Sequence, residues 1–208
     1  MDITALKTIE AQLARLARHD TLTGLPNRRC FEERLSELLL QHEARPFAMM
    51  LLDIDHFKAI NDRHGHAAGD AALTHVADCL KASVRVTDTV ARHAGDEFVV
   101  LLPGLSTRDD AEMIARKINA RIRSECAGLE DNSQITVSIG VAYASEAGVT
   151  AEALYASADS ALYNAKHAGR DTFIVIDCNV VEMAERPTRR RRAGDAALQD
   201  SSTAHSRT

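Results

Sequence analysis

The stretch Ala91-Arg92-His93-Ala94-Gly95-Asp96-Glu97-Phe98 sets two small residues and two adjacent carboxylates ahead of the apolar run Phe98-Val99-Val100-Leu101-Leu102. Small residues suit a tight bend, and a short apolar run bounded by a turn reads as a buried strand. A hairpin with acids at its tip is therefore predicted. A second run, Phe47-Ala48-Met49-Met50-Leu51-Leu52, ends in Asp53-Ile54-Asp55. Residues two apart on a strand share a face, so Asp53 and Asp55 point the same way, whereas only one of Asp96 and Glu97 can join them. Two strand ends carrying acids side by side make a site for a hard cation of the kind that positions nucleotide phosphates. A nucleotide-handling enzyme is the expectation.

Helical and strand-like patterns alternate along the rest of the chain. Leu6, Ile9, Leu13 and Leu16 recur at coiled-coil spacing. Two heptads are too few to hold a dimer alone, so residues 1–19 read either as a helix packed on its own domain or as the end of a dimeric stalk. A turn-rich stretch follows, in which Asn27 is placed to cap a helix with the apolar face Phe31, Leu35, Leu38 and Leu39. The next helix is expected after Gly65, with Ala72, Leu73, Val76, Leu80 and Val84 on one face. A third spans roughly 109–124, and a last one carries Leu154, Ala158, Ala161, Leu162 and Ala165. The alternating run 135–141 and the run Phe173-Ile174-Val175-Ile176 are further strands. Together these predict an α/β (α+β) sandwich of the ferredoxin-like, palm type: a central mixed sheet flanked by helices, with a short N-terminal helix. From about Glu185 periodicity is lost, and 185–208 reads as a disordered basic tail.

Charge narrows the function. Residues 186–208 hold six Arg and two Asp, while the preceding 185 residues hold 19 basic and 28 acidic side chains, a net charge of −9. An acidic body does not suit a nucleic-acid surface, and a polyphosphate ligand there needs metal ions and a few placed cations. No apolar run approaches the roughly 20 residues that span a membrane, and the first residues are not signal-like. Cys30, Cys79, Cys126 and Cys178 show no paired spacing, which fits a reducing cytoplasm.

The order of motifs carries a resemblance. The blocks run Asp20-Thr21-Leu22-Thr23-Gly24-Leu25-Pro26-Asn27-Arg28, Asp53-Ile54-Asp55-His56-Phe57-Lys58, Asn61-Asp62, Gly65-His66, Gly69-Asp70 and Arg92 to Phe98. They continue as Val137-Ser138-Ile139-Gly140-Val141-Ala142, Ala158-Asp159, Leu162-Tyr163 and Ala165-Lys166-His167-Ala168-Gly169-Arg170. Over roughly 20–176 the chain resembles the GGDEF family of diguanylate cyclases, with Ala94 in place of the first glycine. In such enzymes two GTP-loaded domains face each other in a homodimer. The 3′-hydroxyl of each GTP attacks the α-phosphate of the other, giving cyclic di-GMP and two pyrophosphates.

The resemblance implies roles for individual residues. Asp53, the Ile54 carbonyl, Asp96 and Glu97 look like ligands of two Mg2+ ions (Mn2+ being possible), with Glu97 also placed to help deprotonate the 3′-hydroxyl. Asn61 and Asp70 resemble the guanine readers, since an amide and a carboxylate answer the edge of guanine and not that of adenine. Lys58, Lys166 and Arg170 resemble the cations that hold phosphates and developing charge. His56 and Phe57 sit where backbone amides approach phosphates, Gly95 lies in the bend, and His66 lies between the two guanine readers. Arg85-Val86-Thr87-Asp88 resembles the family's product-inhibition motif, an Arg and an Asp three apart that clamp cyclic di-GMP. The alternative is a catalytically weak module that acts as a cyclic di-GMP receptor through Arg85 and Asp88. The His64-Gly65-His66 pair reads as turn and helix start, not as a metal pair. With only nineteen residues before the Asp20 block, either a larger signalling protein or a partner is expected to supply control.

Overall fold

Alternating apolar runs and helical periodicities become ten elements in the computed structural model, which describes residues 17–41, 45–125 and 134–178. The expected coiled-coil positions up to Leu16 and the basic tail lie outside the described residues. Helix α1 (Arg28–Gln41) starts where predicted, because the Asn27 side chain accepts from the Cys30 N–H at 3.0 Å. It buries Phe31 and Leu35. Strand β1 (Phe47–Ile54) leads into helices α2 (Phe57–His64) and α3 (His66–Ser83). The hairpin of β2 (Thr89–Ala94) and β3 (Glu97–Leu102) follows, then helix α4 (Arg108–Glu125). Strand β4 (Val137–Ala144), helix α5 (Ala151–His167) and strand β5 (Phe173–Asp177) complete the order.

The sheet runs β2-β3-β1-β4-β5. Its first four strands are antiparallel in the order of a split βαβ, ferredoxin-like motif, and β5 adds parallel to β4 at the edge. Both faces are covered. Ala48, Met50, Leu52 and Ile54 of β1 pack with Leu73, Val76 and Leu80 of α3 and Ile114, Ile118 and Ile122 of α4. Phe47 and Met49 face the other way, toward Phe31 and Leu35 of α1 and Leu154 and Ala158 of α5. Full burial on two sides explains why the central strands read as continuous apolar runs and not as alternation. Helix α5 sits directly on β4, because a Cβ on Gly140 would collide with the backbone of Ala158 and Leu162.

One helix escaped the sequence reading. Residues 57–64 form α2 ahead of Gly65, although the next helix was expected only after that glycine. Its polar content masks a single apolar turn, Phe57 and Ile60, that packs against the α3/α4 side of the core. Gly65, at φ +82°, makes the break between α2 and α3 that a residue with a Cβ would resist. Among the described residues no helix is long and apolar enough to cross a membrane.

Candidate active site

Asp53 lies near the C-terminal end of β1 and pairs across the ladder with Glu97, the first residue of β3. The Ile54 N–H points at the Asp96 carbonyl (3.4 Å), and since N–H and C=O of one strand residue point to the same side, the Ile54 carbonyl also faces the β2–β3 turn. Asp53, Ile54, Asp96 and Glu97 are thus brought to one end of the sheet, as the motifs implied. Alternation puts the Asp53 side chain on the α5 side, where Lys166 Nζ lies 2.8 Å from its Oδ2. Burial holds the Asp53 carboxyl above the usual carboxylate value. The Lys166 charge opposes that, while the negative charges of Asp96 and Asp55 reinforce it. Among the described residues no three His, Cys, Asp or Glu side chains form a finished metal cage. Three carboxylates, a carbonyl and repelling charge fit magnesium, each ion taking one or two protein acids and leaving its other positions to phosphate and water.

Asp55 departs from the expectation that it shares the cation site. It is buried, and Thr136 and Ser138 hydroxyls donate to it at 2.7 Å each, with the Asp171 N–H at 3.0 Å. Its oxygens are turned toward β4 and the loop after α5, so Asp55 ties that loop to the sheet. The loop needs tying. Arg170 (φ +64°) and Asp171 (φ +46°) both adopt the left-handed conformation, which costs roughly 1–2 kcal/mol per non-glycine residue. Charge-assisted bonds, at about 1.5–3 kcal/mol, are of a size to offset this. The result presents the exposed Arg170 one turn beyond Lys166.

On the opposite side of Asp53, His56 (φ +57°) turns the chain into α2, and no side chain caps that helix. The N–H groups of Ala59 and Ile60 donate to the His56 carbonyl at 2.8 and 3.2 Å, which leaves those of Phe57 and Lys58 to face an anion. Lys58 is exposed. Asn61 lies one turn further along α2, against Gly69 of α3, and Asp70 follows Gly69 on an exposed position. A Cβ at residue 69 would strike the Asn61 side-chain oxygen and come within 3.2 Å of Phe57 Cζ. Gly69 therefore lets the two helices that carry Asn61 and Asp70 approach. His64 ends α2 and exposed His66 begins α3, as the turn reading required.

The hairpin tip is braced from behind. Arg92 Nη1 lies 3.1 Å from both Asp20 oxygens, and its Nε and Nη2 donate to the Gly95 carbonyl at 2.9 and 2.8 Å. Burial pushes the Asp20 carboxyl up, but bonds from Thr23 and Arg92 outweigh it and hold the group below its usual value. Gly95 (φ +53°) makes the left-handed turn, while Ala94 has no positive φ. A cavity of about 360 Å³ opens beside Glu97, lined by Leu51, His93, Tyr155 and Asp159.

These pieces match one family throughout. The family model for the diguanylate cyclase GGDEF domain matches residues 17–172. The chain belongs to the GGDEF domain family. Diguanylate cyclase TpbB of Pseudomonas aeruginosa is 42% identical over 178 residues, covering 84% of this chain and 41% of its own length. The bifunctional diguanylate cyclase/cyclic di-GMP phosphodiesterase MucR of the same species is 38% identical over 179 residues, 85% of this chain and 26% of its own. The chain thus spans about a quarter to two fifths of these curated relatives. The crystal structure of the coiled coil and GGDEF domain of DgcB from Caulobacter crescentus, in complex with c-di-GMP, superposes with a TM-score of 0.74 at 28% identity. It covers 84% of this chain and 93% of that one.

Arg85 and Asp88 stand apart from this GGDEF site. They close a turn between α3 and β2, in which the Asp88 carboxylate accepts from the Arg85 N–H at 2.8 Å and the Asp88 N–H donates to the Arg85 carbonyl at 3.0 Å. Strand β2 separates this turn from Ala94 by about 20 Å at ~3.3 Å per residue. Sequence reasoning missed Asp20, Arg92, Arg123 and Asp171 as parts of the site's support. No spacing signal could have found the Asp20–Arg92 pair, whose members are 72 positions apart.

Proposed function

We propose that this GGDEF domain is a diguanylate cyclase that condenses two GTP into cyclic di-GMP and two pyrophosphates across a two-fold homodimer in the cytoplasm. The observation that carries the reading is the convergence of Asp53, Asp96 and Glu97 on the end of β1, with Lys166 against Asp53 and the uncapped start of α2 beside it. Asn61 and Asp70 read guanine, with His66 near the base. The N–H groups of Phe57 and Lys58, which follow His56, together with the side chains of Lys58, Lys166 and Arg170, hold the triphosphate. Asp53, the Ile54 carbonyl, Asp96 and Glu97 hold two Mg2+ ions, which when bound offset phosphate charge and polarise the α-phosphate. Glu97 accepts the proton of the 3′-hydroxyl as it attacks. Each protomer supplies one of two identical substrates, so a two-fold arrangement satisfies the stoichiometry. Cyclic di-GMP binds back at Arg85 and Asp88, where a guanidinium suits its phosphate and a carboxylate its guanine edge.

The test is incubation with GTP and magnesium, with nucleotides resolved by chromatography and Asp96→Ala as control. Cyclic di-GMP from the parent and not from the variant supports the cyclase. No product at concentrations that enforce dimerisation overturns it. Retained binding of added cyclic di-GMP, lost in Arg85→Ala, would then favour a receptor.

A further inference from the structure

The loop that carries Arg170 is an unusual piece of backbone. Gly169, Arg170 and Asp171 all have positive φ (+113°, +64° and +46°). A run like this persists only where its surroundings over-determine it. The Arg170 N–H donates to the Ala165 carbonyl at 3.2 Å, the Asp171 N–H to buried Asp55 at 3.0 Å, and the Ile139 N–H to the Thr172 carbonyl at 3.0 Å. The remaining tie comes from another layer of the fold. Arg123, in the last turn of α4, reaches Asp171 Oδ2 with Nη2 at 2.6 Å and Nε at 2.9 Å, and its Nη2 also lies 3.4 Å from the Asp171 carbonyl. Asp171 is thus gripped at its N–H by Asp55 and at its carboxylate by Arg123. The exposed Arg170 precedes it in the chain.

We propose that Arg123 is a positioning residue for Arg170, acting through Asp171, whose N–H Asp55 holds separately, so that a side chain on the far face of the sheet sets the affinity for the GTP triphosphate. The inference rests on the reading of Arg170 as a phosphate-holding cation. Arg123 touches no substrate. It fixes the φ/ψ of Asp171, and that fixes where the preceding guanidinium is presented. A preformed cation lowers the ordering cost of binding, so most of the effect falls on binding and little on turnover. Lysine supplies the charge without the two-pronged grip, so it restores the arrangement only in part.

The experiment measures KM and kcat for GTP. Calorimetry with the slowly reacting analogue guanosine 5′-(α-thio)triphosphate and magnesium adds a readout independent of turnover. The proteins are the parent, Arg123→Ala, Arg123→Lys, Arg170→Ala and the Arg123→Ala/Arg170→Ala double variant. Asp171→Gly joins them, because glycine keeps the left-handed backbone while removing the carboxylate. Arg123 is half-exposed, so its replacement leaves the core intact. Expected is a roughly tenfold loss of affinity in Arg123→Ala and Asp171→Gly with kcat within about twofold, and partial recovery in Arg123→Lys. The double variant is expected to be no weaker than Arg170→Ala, as for residues acting on one element. Parent-like binding by Arg123→Ala while Arg170→Ala is weak overturns the positioning role alone, as do losses that multiply in the double variant. Parent-like binding by Arg170→Ala overturns the phosphate reading of Arg170, and the positioning role with it.

Discussion

Lys166 Nζ lies 2.8 Å from Asp53 Oδ2, joining the last turn of α5 to the end of β1. The ammonium stands where a hard cation is expected, against a carboxylate that burial and two neighbouring acids disfavour. On the reading of Asp53 as a metal ligand, metal and Lys166 would compete for its carboxylate, and a bound metal would free Lys166 to turn to a phosphate. A site assembled this way stores unfavourable charge until its ligands arrive.

The consequence is that Asp53→Asn leaves the metal-free protein as stable as the parent or more so, by up to about 1 kcal/mol, since it removes a disfavoured charge. Millimolar magnesium is expected to raise the thermal midpoint of the parent and not that of the variant. Thermal unfolding with and without magnesium checks both halves. A variant clearly less stable than the metal-free parent would show that the Lys166 contact outweighs the repulsion.

Asp20 and Arg92 give the opposite sign. The folded protein holds the Asp20 carboxyl below its usual 3.8, so the group contributes stability that is fully present above that value. The contribution fades as pH falls through the lower folded value. Asp20→Asn is expected to destabilise by about 1–3 kcal/mol at pH 7, because Arg92 is left with a weaker partner at a partly buried site. The gap to the parent narrows in denaturant titrations below about pH 4. A gap that is constant from pH 7 to pH 3 would assign the loss to packing and not to charge.

How much of this was legible in the residues follows from range. Acids at the ends of apolar runs announced the end of β1 and the hairpin tip, because each signal is local and the pairing Asp53 to Glu97 follows from register. Asn27 announced the start of α1 in the same way. Asp55 misled, since spacing says only that it shares a strand face with Asp53, whereas its partners Thr136, Ser138 and Asp171 lie 81 to 116 positions away. Helix α2 was hidden because one apolar turn among polar residues gives no period to read. Its ability to pack is visible only once the core of α3 and α4 is in place.

Gly69→Ala tests the approach of α2 and α3. The added methyl would strike the Asn61 side-chain oxygen, the softest of its neighbours, so Asn61 swings away while the helices stay nearly in place. One lost hydrogen bond to guanine, at about 1.4 kcal/mol, is worth tenfold in affinity. GTP binding is expected to weaken about tenfold with the thermal midpoint nearly kept, and discrimination between GTP and ATP falls with it. Calorimetry with both nucleotides checks this, and unchanged discrimination would remove Asn61 from the guanine site.

Ala94, the last residue of β2 ahead of the turn, makes the last prediction. Ala94 ends β2 without a positive φ, and the left-handed turn is made by Gly95 alone. The backbone therefore needs a glycine at 95 and not at 94. Ala94→Gly is expected to cost about 0.5–1 kcal/mol through the greater freedom of the unfolded chain, with cyclase turnover within about twofold of the parent. Gly95→Ala places a Cβ at φ +53°, at roughly 1–2 kcal/mol, and moves the carbonyl that Arg92 grips beside Asp96. Its turnover is expected to fall at least tenfold. Steady-state cyclic di-GMP formation by the two variants decides the point: a large gain in Ala94→Gly would mean that the Ala94 methyl obstructs the substrate or the facing protomer, a cost that backbone geometry alone does not reveal.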